Sequence, residues 1–328
     1  MSEPVIVVHA GAGGARSDLL SQAPESRDAL ERALTAGAAE LERGGAVEAA
    51  CAAVMVMESF ALFNAGYGSV LCSDGSVEMS ASVMRGSDRA AGAVAMLRRT
   101  RHPVAAALSL LDAPPVLLAG SRADEHAAGQ GLEQHDPSEF VTDRQRRRLE
   151  RWLSQRENRA RSAAPDGGAF GGWSAAPGGG ASEGRSAAPD GGALDDRGTV
   201  GAVCLDSSGL LAAATSTGGR LGQRPGRVGD SPLIGAGTWA DRSVAVSCTG
   251  AGEAFIRCGA ARLLGALVAH GAGLDSAALT VLDGVAECDG VGGLIAVDAD
   301  GRVAMPFSTE AMPRGVWRPG QSPVVEIL

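Results

Sequence analysis

The hydrophobic pattern predicts an α+β fold: a helix-rich first half, a change of period at residue 199, and strand hairpins beyond it. Within 46–59, Val47, Ala50, Cys51, Val54 and Met57 recur at the spacing of one helix face. From 199 to 205 side chains instead alternate, with Thr199, Gly201, Val203 and Leu205 on one face and Val200, Ala202 and Cys204 on the other. Asp206, Ser207, Ser208 and Gly209 read as a turn and 210–217 as the returning strand. Simple register then brings Thr199 beside Thr215, Ser216 and Thr217.

Taken in order, Val5 to Val8 is a short buried strand that runs into the glycine-rich 9–14, where the Gly-x-Gly-x-x-Gly spacing of a nucleotide loop is absent. Residues 27–43 and 46–59 are helices divided by Gly44 and Gly45. The glycines of 63–68 predict an irregular loop with exposed carbonyls, and 71–84 reads as a hairpin around Ser73, Asp74 and Gly75. Residues 92–99, 104–111 and 116–120 are apolar elements between turns. A charged helix over 143–155 turns Leu149, Trp152 and Leu153 inward, and its basic run Arg144, Arg146, Arg147 and Arg148 belongs to a solvated face. A Gly/Ala/Pro/Ser tract follows, with a twelve-residue repeat marked by Ser162, Ser174 and Ser186. Such a composition buries no core and predicts a flexible linker over 156–197.

Beyond the Thr199 hairpin, 218–232 is a loop rich in glycine and arginine, in which Arg227 suits a carboxylate and Asp230 an ammonium. Residues 243–248 form a strand and 253–270 a helix with Phe255, Ala260, Leu263, Leu264 and Leu267 toward the core. Between them, 249–252 sets N–H donors at a helix N-terminus, a place for an oxyanion hole. A helix over 275–287 and a hairpin over 292–305 complete the reading.

The 328 residues carry a formal charge of −9 and few aromatics, which argues against nucleic acid or an anionic membrane as partner and for a small-molecule substrate. No stretch is long and apolar enough to span a bilayer, and the N-terminus lacks a basic signal region, so a cytoplasmic protein is expected. Six cysteines without a Cys-x-x-Cys read as buried free thiols, and five histidines show no metal spacing.

A hydroxyl needs a base to act as a nucleophile at neutral pH, and no Gly-x-Ser-x-Gly elbow is present. An N-terminal threonine supplies its own: an α-amine with a pKa of roughly 7.7 to 8.0 is partly neutral at pH 7. Thr199 gains such an amine only if the chain is cut between Gly198 and Thr199.

The segments 198–203, 213–219, 226–232 and 247–250, with 8–13, 62–70 and 77–84 upstream, closely resemble the plant-type (type III) L-asparaginase/isoaspartyl peptidase family, threonine-type N-terminal-nucleophile (Ntn) hydrolases. That resemblance implies a four-layer αββα sandwich, a single domain over 1–328 that cuts itself into an α chain, 1–198, and a β chain, 199–328. It implies Thr199 as nucleophile, Thr217 holding it, Thr249 and Gly250 as the oxyanion site, Asn64 near the scissile bond, and Arg227 and Asp230 as anchors of an aspartyl substrate. It further implies a structural sodium ion on the main-chain carbonyls of Met57, Glu58, Phe60, Phe63, Ala65 and Tyr67, no cofactor for the chemistry, and a homodimer of αβ units. The expected substrates are β-aspartyl dipeptides and L-asparagine. The chain departs from the family pattern at Ser80 and Arg85, where acids are common, which makes Arg85 a candidate for contact with an acidic leaving residue. A glycosylasparaginase-like hydrolase and a silent, uncut amino-acid-binding homologue stay open as alternatives.

Overall fold

The computed structural model describes residues 2–13, 20–43, 45–163 and 198–328. Most of the repeat tract and of the expected linker lies outside them. In chain order the elements are β1 (Val5–His9), α1 (Ala23–Glu42), α2 (Ala46–Glu58), β2 (Met79–Arg85), β3 (Ala91–Leu97), α3 (Pro103–Leu108), β4 (Leu117–Ala119), α4 (Ser121–Gly129) and α5 (Asp143–Ala163). After the gap come β5 (Val200–Leu205), β6 (Leu211–Thr217), β7 (Thr238–Ala240), β8 (Val244–Gly250), α6 (Gly252–Cys258), α7 (Ala260–Ala269), α8 (Leu274–Glu287), β9 (Gly292–Asp298), β10 (Val303–Ala304), β11 (Arg314–Trp317) and β12 (Val324–Glu326).

The strands form an eight-stranded sheet ordered β12-β11-β1-β5-β6-β2-β3-β4 and a four-stranded sheet ordered β10-β9-β8-β7. All pairings between these strands are antiparallel except β3 with β4, which run parallel. The alternation along β5 decides the layering. Val200, Ala202 and Cys204 join α1 and α2 in one core, while Val203 and Leu205 face the second sheet in another. That second core continues through Val246, Cys248 and Ile295 to Leu264 and Val281 on α7 and α8. Helices therefore cover the outer face of each sheet, giving four layers, αββα. Gly37 lets α1 lie against the sheet, since a Cβ there would stand 2.2 Å from Ile6 Cδ1.

Three elements differ from the sequence expectation. The helix expected to end at 155 runs as α5 to Ala163, through the first eight residues of the expected linker. The hairpin expected over 71–84 is absent, and only its second arm is strand. Ser73 N donates to Gln223 O at 2.8 Å and Gly222 N to Leu71 O at 2.7 Å, so this backbone spends its hydrogen bonds on the 222–223 loop. β2 turns back at 86–90 to pair with β3 instead. The single helix expected over 253–270 breaks at Gly259, whose φ of 61° and ψ of 41° end α6 and begin α7, a conformation that glycine adopts without Cβ strain.

The break leaves Phe255 fully buried on the short α6, with its ring edge against Gly250 and Gly292. Phe255→Ala should lower the unfolding free energy by about 3–5 kcal/mol, read from urea denaturation of the purified chain; a loss under about 1 kcal/mol would mean that the ring does not prop this turn.

Candidate active site

The pairing of β5 with β6 sets the site. Val200 stands opposite Ser216, so Thr199 comes level with Thr217, and Ser80 on β2 is Thr217's partner on the other side. Thr199 Oγ1 lies 3.3 Å from Thr217 Oγ1. Thr217 Oγ1 donates to the Gly198 carbonyl at 3.1 Å and accepts from Gly219 N at 3.0 Å. Asn64 Nδ2 donates to the same Gly198 oxygen at 2.8 Å and to Gly219 O at 2.7 Å, while its Oδ1 accepts from Val70 N at 2.9 Å. The amide is thus oriented at both ends, with two donors on the carbonyl of the Gly198–Thr199 peptide.

One cavity is lined by Thr199, Thr217, Gly250, Arg220, Arg227 and Asp230, among others. Thr249 is buried beside it, and its Oγ1 accepts from Ala12 N at 3.2 Å, which leaves the hydroxyl proton for another acceptor. Gly250 has φ 146°, and a Cβ there would stand 2.4 Å from Val291 O, so glycine is required. Arg227 and Asp230 form no ion pair with each other. Arg227 Nε instead donates to Glu253 Oε1 at 2.9 Å and Nη1 to Gln223 Oε1 at 3.3 Å. Its Nη2 and Asp230 Oδ1 converge on Gly252, where a Cβ would approach them to 2.9 and 2.8 Å. Asp230 Oδ2 is buried with no hydrogen-bond partner, and burial pushes the carboxyl up to about 6 against the opposing pull of its own and Ser231's main chain and of Arg227.

Arg85 lies elsewhere. It pairs with Ala212 at the far end of β2, about 17 Å along the strand from Ser80. Asp88 and Asp112 hold its guanidinium at 2.8 and 2.5 Å. The expectation that Arg85 meets a leaving residue is overturned, because the β-strand separates the two departures. Ser80 stays next to Thr217, its Oγ accepting from Met96 N at 3.3 Å. Glu253 was not singled out in the sequence; an acid at a helix start carries no signal that it will brace an arginine 26 residues earlier in the chain.

Among the described residues no cluster of three or more His, Cys, Asp or Glu is placed to hold a metal. Main-chain coordination is a separate question, and the 57–67 loop fits it in part. A Cβ on Gly66 would stand 2.5 Å from Glu58 O, and one on Gly68 would meet Phe63 O and Phe60 O, so these carbonyls crowd toward two glycines. Met57, Phe60 and Ala65 carbonyls also accept main-chain hydrogen bonds, from Phe60, Phe63 and Gly68. Four of the six cysteines are buried and two half-buried, all as free thiols. No helix among the described residues is long and apolar enough to cross a membrane.

Two sheets enclosed by helices, with a threonine starting a central strand and its hydroxyl facing the cavity, define the Ntn-hydrolase class of fold. The asparaginase family model matches residues 2–327, and the chain belongs to that family. It is 41% identical to the isoaspartyl peptidase of Salmonella typhimurium, over all of this chain and 99% of the relative. It is 39% identical to the plant-type L-asparaginase of Pyrobaculum calidifontis, over 96% of this chain and 97% of the relative. The isoaspartyl peptidase/L-asparaginase of Bos taurus is 37% identical, over 97% and 94%.

Because the folded Asp230 carboxyl titrates near 6 and an unfolded aspartate near 3.9, the folded chain holds this proton more tightly, and stability falls as pH rises between those values. Asp230→Asn should therefore raise the unfolding free energy at pH 7 by on the order of 1 kcal/mol and flatten that fall. Thermal melts from pH 4 to pH 7 check it; a mutant no more stable than wild type at pH 7 would contradict it.

Proposed function

We propose that this chain is a self-processing threonine hydrolase that cleaves β-aspartyl dipeptides and L-asparagine at the side-chain carbonyl and releases L-aspartate. The observation that carries the reading is the double grip on the Gly198 carbonyl, by Asn64 Nδ2 and Thr217 Oγ1, in the cavity that also holds Arg227 and Asp230. The activities named for full-length relatives at 37–41% identity support the substrate class.

In the uncut chain Thr199 Oγ1 attacks the Gly198 carbonyl carbon. Negative charge gathers on an oxygen already facing two donors, which is what stabilises a tetrahedral intermediate. Collapse breaks the C–N bond, the Thr199 nitrogen takes up the proton that Oγ1 gave up and leaves as a free amine, and water hydrolyses the Gly198 ester to give the 1–198 and 199–328 chains. The new amine then takes the proton of Thr199 Oγ1 during attack on substrate. Arg227 Nη2 meets the substrate α-carboxylate and Asp230 Oδ2 its α-ammonium, which gives that unpaired oxygen its partner. The Thr249 hydroxyl and Gly250 amide take the new oxyanion. The acyl-enzyme ester is hydrolysed to aspartate, and the amine or ammonia departs with the proton that the Thr199 amine received.

A sodium ion, when bound, adds only charge that stiffens the loop carrying Asn64, through the carbonyls of Met57, Glu58, Phe60, Phe63, Ala65 and Tyr67. Assembly as a homodimer of αβ units in a reducing cytoplasm belongs to the same proposal.

Intact-mass spectrometry after prolonged incubation tests it. Wild type should yield a fragment beginning at Thr199, Thr199→Ala should stay whole, and only the cut protein should release aspartate from β-aspartyl dipeptides. A wild-type chain that stays uncut and inert would leave the alternative of a silent binding protein. Arg227→Ala should mature yet raise KM for the dipeptide at least tenfold, as expected for loss of a charge-assisted contact of about 1.5–3 kcal/mol.

A further inference from the structure

One register row of the large sheet carries almost no apolar side chain. His9 pairs with Gly201, Gly201 with Thr215 and Thr215 with Ser82, across β1, β5, β6 and β2. Facing it from the small sheet are Thr238 and Ser247, themselves register partners on β7 and β8. His9 and the four hydroxyl side chains are all fully buried. Between the sheets Thr215 Oγ1 lies 2.8 Å from Ser247 Oγ, Ser82 Oγ 2.7 Å from Thr238 Oγ1, and Thr238 Oγ1 2.6 Å from Thr215 Oγ1. Three contacts thus link the four hydroxyls in a chain, Ser82–Thr238–Thr215–Ser247, in the middle of a hydrocarbon interface, where unpartnered hydroxyls would be costly.

The chain of hydroxyls has two ends. At one, Ser82 Oγ donates to the Ser231 carbonyl at 2.6 Å, with Thr238 Oγ1 at 3.2 Å from the same oxygen. Ser231 follows Asp230 in the chain and lines the cavity. At the other, Ser247 Oγ lies 3.0 Å from His9 Nε2, whose ring also engages the Thr199 main chain. Gly11 N donates to His9 Nδ1 at 3.3 Å, so the ring proton sits on Nε2. Gly201 keeps this end open, since a Cβ there would stand 2.0 Å from Ser247 Oγ and 2.4 Å from His9 Nε2. The row lies two residues, about 7 Å, from the row of Thr199, Thr217 and Ser80.

We infer that Ser82, Thr215, Thr238 and Ser247 are positioning residues, a hydroxyl seam that fixes the spacing between Thr199 and the Asp230–Ser231 anchor. The location of the reaction rests on the proposed hydrolase reading. The seam touches no substrate atom. It acts at its Ser82–Thr238 end through the anchor loop and at its Ser247 end through His9 and the Thr199 main chain, so the two ends control different kinetic quantities.

Four proteins test this: wild type, Thr238→Val, Thr238→Ser and Ser247→Ala. Each is assayed by thermal melt, rate of appearance of the Thr199 fragment, kcat and KM for a β-aspartyl dipeptide, and hydrogen exchange over 227–237. Thr238→Val keeps the shape and removes the hydroxyl. It should raise KM about tenfold with kcat within about twofold, as expected for loss of one hydrogen bond at the anchor, and speed exchange in the anchor loop; Thr238→Ser should restore both. Ser247→Ala should slow maturation and kcat about tenfold with KM within about twofold. A folded Thr238→Val with wild-type KM and exchange overturns the inference, as does an equal loss of kcat and KM in both variants. A wild type that neither matures nor turns over defeats the hydrolase reading instead, and exchange in Thr238→Val against Thr238→Ser still decides whether the seam holds the loop.

Discussion

The register of β5 against β6 is the constraint on which the rest depends. Both strands lie inside the eight-stranded sheet, each hydrogen-bonded on both edges, so neither slides without breaking two ladders. A slip of one residue would send Thr199 to the helix-facing side and Val200 into the cavity, because side chains alternate with period two. The apolar halves of β5 forbid that: Val200, Ala202 and Cys204 belong to the helix-facing core, Val203 and Leu205 to the inter-sheet core. The site inherits its accuracy from hydrophobic burial on both faces, although no reacting atom is apolar.

Held by that register, the polar groups are arranged at a cost to stability. Asp230 keeps one carboxylate oxygen buried without a partner, and Arg227, the nearest cation, is drawn away by Glu253. An ion pair between Arg227 and Asp230 would satisfy both and leave nothing for a zwitterionic amino acid. Glu253 holds Nε and leaves Nη2 beside Gly252, so the guanidinium stays oriented while one edge remains open. This arrangement supports the proposal that Arg227 and Asp230 receive a ligand bearing both a carboxylate and an ammonium.

Local pattern made most of the fold legible. Alternation in 199–217, helical spacing in 27–59 and glycine-bounded turns rest on residues near in sequence, and the elements stand within a few positions of where those patterns put them. Legibility ended where long-range hydrogen bonds decided. Leu71 and Ser73 gave their backbone groups to 222–223 rather than to a hairpin, and nothing within 71–84 signals that choice. Gly259 was visible as a glycine, but apolar spacing on either side hid the break until its left-handed φ separated two helices. In the site, residue types singled out Arg227 and Asp230, whereas the placement of Arg227 against Glu253 is a property of two segments meeting in space. The placement of Arg85 is the same lesson in reverse: five residues of extended strand carry it to the opposite end of the sheet from Ser80.

Gly201 shows how one position serves both levels. In the sequence it is a gap in an otherwise apolar strand, a feature that ordinarily weakens a strand or marks close approach of another group. Here it is close approach, with Ser247 and His9 filling the space a methyl would need. The row it belongs to exchanges apolar packing for hydroxyl contacts at a level of the sandwich adjoining Thr199. Hydrophobic side chains there would pack at least as well, but they have no directional contact with which to hold the Ser231 carbonyl or the His9 ring. Burial therefore sets which face each strand presents, and the seam adds the directional restraint that burial alone does not provide.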